Sequence, residues 1–213
     1  MKTISDIYKE YKIMPNLQMH MLRVAAVASM ICDNFTEPLL KEDIITAALL
    51  HDMGNIIKFR LDYFPKFLEP EGLEYWQRVK DEYAEKYGND EHIATIKIAQ
   101  ELRVSSSILE LIKALSFFGA PKVALGDNFG DKIVEYCDSR VTPFGVVTLE
   151  ERLTDLRTRY AHRGVDTHER RAYQDAVRQM EEQIFSKCKI KLEDITDESV
   201  APIVAELKNF VIK

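Results

Sequence analysis

The side chains in this sequence best suited to chemistry are His51 and Asp52, an imidazole and a carboxylate placed side by side. They follow an almost wholly apolar run, Ile45 to Leu50, and stand just before Gly54, a residue able to stop a helix. A carboxylate at the edge of a core needs a partner, and a second side chain, a capped backbone or a metal ion would each serve. His20 lies beside the apolar stripe Leu17, Met21, Val24, Ala25, Ala28 and Ile31 of the preceding helical pattern. In a helical hairpin the start of one helix lies beside the end of the next, so His20 and the His51-Asp52 pair can converge. Further along, His92 falls in a helix's first turn, and Asp138 adjoins an apolar face made by Ile133, Val134 and Cys137.

The elements that must position these groups read as helices throughout. Helical spacing is expected over about 3–13, 17–35, 41–52, 72–87, 91–102, 105–118, 131–140, 149–161, 167–188 and 198–210. Residues 122–130 carry Gly126, Asp127, Asn128 and Gly130 and read as a loop, and Gly119-Ala120-Pro121 reads as a helix stop. No β-alternation of consequence and no internal repeat is visible, so the expected fold is all-α, a bundle of about 7–10 helices with no significant sheet. A first domain over residues 1–163 and a C-terminal helical extension over 164–213, packed on it, divide the chain.

Composition narrows the function. With 29 Lys+Arg against 35 Asp+Glu and a formal charge of −6, there is no overall positive field to hold nucleic acid. No apolar run approaches a membrane span, and Met1 to Lys12 resembles neither a signal nor a transit segment, so a cytoplasmic protein without a membrane partner is expected. Cys32, Cys137 and Cys188 are scattered, with no CxxC spacing, and read as reduced thiols. P-loop, GxSxG and GxGxxG elements are missing, which removes nucleotide-driven motors, serine esterases and dinucleotide enzymes.

Taken in order, His20-Met-Leu-Arg23-Val24-Ala25, then His51-Asp52-Met53-Gly54, then Asp138 at the end of Lys132-Ile-Val-Glu-Tyr-Cys-Asp138, the pattern resembles the HD-domain superfamily of metal-dependent phosphohydrolases over about residues 17–140. The resemblance implies an HD-type helical bundle whose metal ligands are His20, His51, Asp52 and Asp138. Two imidazoles and two carboxylates suit one divalent ion such as Mn, Fe, Co, Ni, Zn or Mg. Asp52 is then catalytic as well as a ligand. His92 stands where dinuclear members have the first of their additional histidines, yet no further histidine occurs before His162, so a single ion is expected, with His92 a catalytic candidate that supports the ligands, donates to phosphate or acts as a general acid.

The reaction so implied is attack of a metal-bound water on a nucleotide or other small phosphate ester. Lys58, one turn beyond the Asn55 that stands where the family often has lysine, is a candidate for phosphate binding, as are Arg23, Arg140, Arg157 and Arg159. The remainder of the basic stretch Arg152 to Arg171 is broken by Asp155, Asp166 and Glu169 and reads as a solvated face. Aromatic residues crowd positions 59–87 and read as core, or as a cap that stacks on a planar group. The competing reading is a catalytically silent HD module that senses a ligand or binds a protein. The apolar helices also permit a homodimer.

Overall fold

The computed structural model describes residues 2–159 and 167–212, and these form eleven α-helices with one two-stranded ribbon. Helix α1 (Ile4–Glu10) starts from a capping box made by Thr3 and Asp6. Helix α2 (Pro15–Asn34) has proline in its first turn, where the missing N–H costs nothing. Helix α3 (Lys41–Leu50) is buried all round from Ile44 to Leu50, as a helix with no polar face must be. It packs along α2, and both helices carry fully buried small residues, Ala25, Ala26 and Ala28 in α2 and Ala47 and Ala48 in α3. Tyr8 of α1 locks the pair by donating its hydroxyl to the Leu49 carbonyl at 2.6 Å.

After α3 the chain makes two 3-10 turns, Asn55–Lys58 and Pro65–Leu68, before α4 (Leu73–Tyr87). Asp90 caps α5 (Glu91–Glu101) by accepting from Ile93 N, and Ser105 caps α6 (Ser106–Ala114) by accepting from Ile108 N. Here the structure corrects the expected boundaries. Helix α6 stops at Ala114, so Leu115 to Phe118 form a connection, and Ala120–Leu125 is a helix of its own, α7. Pro121 lies in the first turn of α7 and so opens a helix where the sequence suggested a stop.

Helix α8 (Phe129–Asp138) follows, capped by Asn128, and ends on the residue expected to bind metal. Thr148 and Glu151 cap α9 (Leu149–Arg159) reciprocally; its expected end at Ala161 and the 163/164 domain boundary lie outside the described residues. Helix α10 (Thr167–Phe185) packs on α7 and α8, and α11 (Asp197–Leu207) packs on α2. Strands β1 (Lys2–Thr3) and β2 (Val211–Ile212) pair antiparallel and join the two ends of the described chain. One hydrophobic core runs from Ile4 to Ile212 through α2, α3 and α8, so the helices that carry the expected ligands are its centre. Among the described residues no helix is long and apolar enough to cross a membrane.

Candidate metal centre

His51 and Asp52 do not extend α3; they occupy the turn that ends it. His51 is the C-terminal cap residue, still with helical backbone angles, and its ring folds back so that Nδ1 lies 2.7 Å from the Ala48 carbonyl. A carbonyl only accepts, so Nδ1 carries a proton, and Nε2 is the atom presented to the neighbouring side chains. Gly54 makes this turn possible. A Cβ there would meet Glu91 O at 2.4 Å and Thr95 N at 2.9 Å, because α5 presses against the turn, and Gly54 N–H donates to Thr95 Oγ1 at 2.9 Å.

Helix α2 brings His20 to the same point and α8 brings Asp138. His20 Nε2 lies 3.0 Å from Asp138 Oδ1 and 3.6 Å from Asp52 Oδ2. His51 Nε2 lies 3.7 Å from Asp52 Oδ2 and 3.6 Å from Asp138 Oδ1. Donor atoms of His20, His51 and Asp52 all fall within 4.8 Å of one another. Residues separated by more than 100 positions in sequence therefore present two nitrogens and two carboxylates to one point.

That point is short of hydrogen bonds. His51 Nε2 and Asp138 Oδ1 are both buried, and outside the imidazole–carboxylate contacts of the cluster itself neither has a hydrogen-bonding partner. Buried polar atoms without partners are costly, and a shared cation between them removes the cost. Donors at about 2.1 Å from one ion sit roughly 3.0–3.5 Å apart, close to the spacing found here. His20, His51 and Asp52 could hold a divalent metal, and Asp138 stands within reach of both imidazoles.

The charges of the cluster shift one another's proton affinities. Burial disfavours a charge on His51, but Asp52 and Asp138 outweigh it and raise its pKa to about 9. Burial would raise Asp138, yet His20 and His51 hold it well below the ordinary carboxylate range. Glu135, one helical turn before Asp138, has no such help. Burial, then the charge of Asp138, pushes it up to about 8, against the Ser116 backbone and His51.

The cluster opens into a cavity of about 640 Å³. Phe59, Tyr63, Phe64 and Phe67 give it an aromatic wall, and Phe64 and Phe67 also meet the exposed Phe144 ring at 5.8 and 5.9 Å. Arg152, Arg157, Arg159 and Arg170, from α9 and α10, give it a cationic one. Asp155 fixes two of these: Arg152 Nη1 bonds its Oδ2 at 2.9 Å, and Arg159 Nε bonds its Oδ1 at 2.8 Å. Arg157 and Arg170 form no ion pair among the described residues.

The sequence matches a known family. The family model described as HD domain covers residues 17–140, more than half of the chain. The chain belongs to the HD-domain family. No curated protein and no solved structure matches it.

Other residues singled out from the sequence of this HD domain divide into two groups. His92, in the first turn of α5, and Lys58, paired with Glu91 at 3.5 Å, line the cavity, as do Arg157 and Arg159. Arg23 and Arg140 do not. Arg23 Nε faces Asp197 Oδ1 at 3.4 Å, tying α2 to α11. Arg140 is buried, donating to Val147 O at 2.6 Å, the Tyr136 hydroxyl at 2.7 Å and Ile195 O at 3.1 Å. Its guanidinium is spent on holding the 141–147 loop and the C-terminal segment.

Arg152, Arg170, Glu135 and Tyr173 also line the cavity and were not singled out. The arginines belong to the stretch read as a solvated face, which the structure instead turns partly inward. Glu135 had one signal: a charged residue three positions before Asp138, on the same helix face, directly after the apolar pair Ile133 and Val134.

Proposed function

We propose that this HD domain is a metal-dependent phosphohydrolase acting on a nucleotide or other small phosphate ester, with one divalent ion held by His20, His51, Asp52 and Asp138. The observation that supports the reading is the convergence of two imidazoles and two carboxylates, two of them with buried atoms that bond nothing outside the cluster, at the base of a cavity with a cationic wall. A divalent ion bound there supplies Lewis acidity to water and to a phosphoryl oxygen.

The protein's own groups do the rest. Asp52 has two oxygens, so one remains to accept a hydrogen bond from the attacking water and orient it. His92 lines the same cavity and donates a proton to the departing oxygen. Lys58, Arg157 and Arg170 neutralise phosphate oxygens, and the guanidinium forks suit bidentate contacts. The aromatic wall gives a flat partner to a base or similar group and keeps bulk water from the reacting atoms.

The test is phosphate release from a panel of nucleotides, sugar phosphates and aryl phosphates, with Mn²⁺, Co²⁺, Ni²⁺, Fe²⁺ and Mg²⁺ added separately. Turnover that disappears in folded Asp52→Ala and Asp138→Ala supports the enzyme. Bound metal without turnover of any ester would overturn it in favour of a silent, ligand-sensing module.

A further inference from the structure

Among the described residues Glu135 is the one buried acid in the cavity that the proposed reaction does not use. It is 4% exposed and lines the cavity, and its Oε2 has no hydrogen-bonding partner. The backbone of Ser116, in the connection between α6 and α7, lies close enough to the carboxyl to favour its charged form. Beside that connection Phe117 stacks flat on Tyr173, with ring centroids 4.7 Å apart and planes 20° apart, and the Tyr173 hydroxyl is held by Ser139 at 2.9 Å. Glu135, Asp138 and Ser139 occupy the i, i+3 and i+4 positions of one helix face, so Glu135 stands one turn, about 5–6 Å, from a proposed metal ligand.

A ligand filling this part of the cavity either satisfies Oε2 or leaves it unpaired at a cost. A phosphate oxygen suits only the protonated acid, and the neighbouring Asp138 repels further negative charge. A hydroxyl is suitable whichever way Glu135 is protonated, since it donates to a carboxylate and accepts from an acid. One helical turn from the metal cluster, that hydroxyl lies within the same small molecule as an ester phosphate bound at the cluster.

We infer that Glu135 is a specificity-determining residue that reads a free hydroxyl near the scissile phosphate, so that the substrate is a phosphate ester of a polyol, such as a sugar phosphate or a nucleotide with an unmodified sugar. This inference rests on the phosphohydrolase reading above.

The experiment compares two pairs of esters on metal-loaded protein: adenosine 5′-monophosphate with its 2′,3′-dideoxy form, and glycerol 3-phosphate with n-propyl phosphate, with phenyl phosphate alongside. In at least one pair the wild type favours the hydroxyl-bearing member by about tenfold or more in kcat/KM, as loss of one buried hydrogen bond requires. In Glu135→Leu that ratio falls to near one while metal content stays at the wild-type value. Glu135→Met serves if the leucine variant does not fold, and Glu135→Gln, which keeps the shape and one hydrogen bond, gives an intermediate ratio. A wild-type ratio near one, a ratio that survives in the leucine or methionine variant, or turnover of phenyl phosphate alone overturns the assignment. Loss of metal from these variants makes Glu135 a ligand and overturns it as well. Failure of every ester with every metal is a different result: it removes the phosphohydrolase reading, and this inference with it.

Discussion

Replacing Gly54 with alanine puts a methyl group where α5 already lies. The new Cβ would stand 2.4 Å from Glu91 O, 2.7 Å from Ala94 Cβ and 2.9 Å from Thr95 N, and two of these three are backbone atoms that cannot rotate away. Normal contact needs about 3.5 Å, so α5 must retreat by roughly 1 Å. Overpacking of this kind costs about 1–3 kcal/mol, and the retreat also weakens the hydrogen bond from Gly54 N–H to Thr95 Oγ1, worth about another 1 kcal/mol. A loss of about 3 kcal/mol lowers the midpoint of thermal unfolding by roughly 6–12 °C for a chain of this size. Because His92 sits in the first turn of the displaced helix, hydrolysis should also fall by about 100-fold. Circular dichroism during heating and a phosphate-release assay read the two effects. Gly126→Ala is the control, since a Cβ there meets nothing closer than 3.5 Å and the backbone is ordinary. Gly54→Ala melting with the control would refute the packing argument.

Three further outcomes follow from the same geometry. His92→Ala should keep its metal, measured by elemental analysis, while hydrolysis slows by about 100-fold or more; loss of the ion would make His92 a ligand. Arg157→Ala and Arg170→Ala should raise KM for phosphate esters with little change in melting temperature, since neither guanidinium is tied to an acid among the described residues; unchanged KM in both would remove the cationic wall from substrate binding. Metal-free protein should lose stability as pH rises. His51 has a folded pKa of about 9 against an ordinary 6.5, so its contribution is complete below pH 6.5 and is lost by about pH 9, at up to about 1.4 kcal/mol per pH unit. Glu135, raised from 4.5 to about 8, acts in the same direction over a lower range. A saturating divalent metal should reverse the trend at His51, because it binds the deprotonated ring; urea melts at pH 6 and 9 with chelator and with Mn²⁺ measure this, and identical slopes would contradict it.

Much of the site was legible because its residues must sit where a strong local pattern puts them. An apolar run ending in His51-Asp52 before Gly54 can only be a buried helix meeting a turn, and α3 is that helix. His20 and Asp138 stood out through the resemblance to the HD family, because a lone histidine beside an apolar stripe and an aspartate at a helix end do not by themselves mark a ligand. What failed to show was set by contacts between distant segments. Arg23 and Arg140 look like free cations in sequence, yet Asp197 and the carbonyls of Val147 and Ile195 claim them in the folded chain. Arg152 and Arg170 look solvated because acids surround them in sequence, but Asp155 takes up Arg152 and Arg159 on one helix face, and α10 carries Arg170 to the cavity. Pro121 was ambiguous by nature, since the same ring that stops one helix suits the first turn of another.

The central claim is that His20, His51, Asp52 and Asp138 hold one divalent ion, and titration calorimetry of chelator-stripped protein with Mn²⁺ tests it most directly. One ion per chain in the wild type, and none in folded Asp138→Asn or His51→Gln, is the predicted result. Two ions per chain, no binding at all, or undiminished binding in both variants would contradict it.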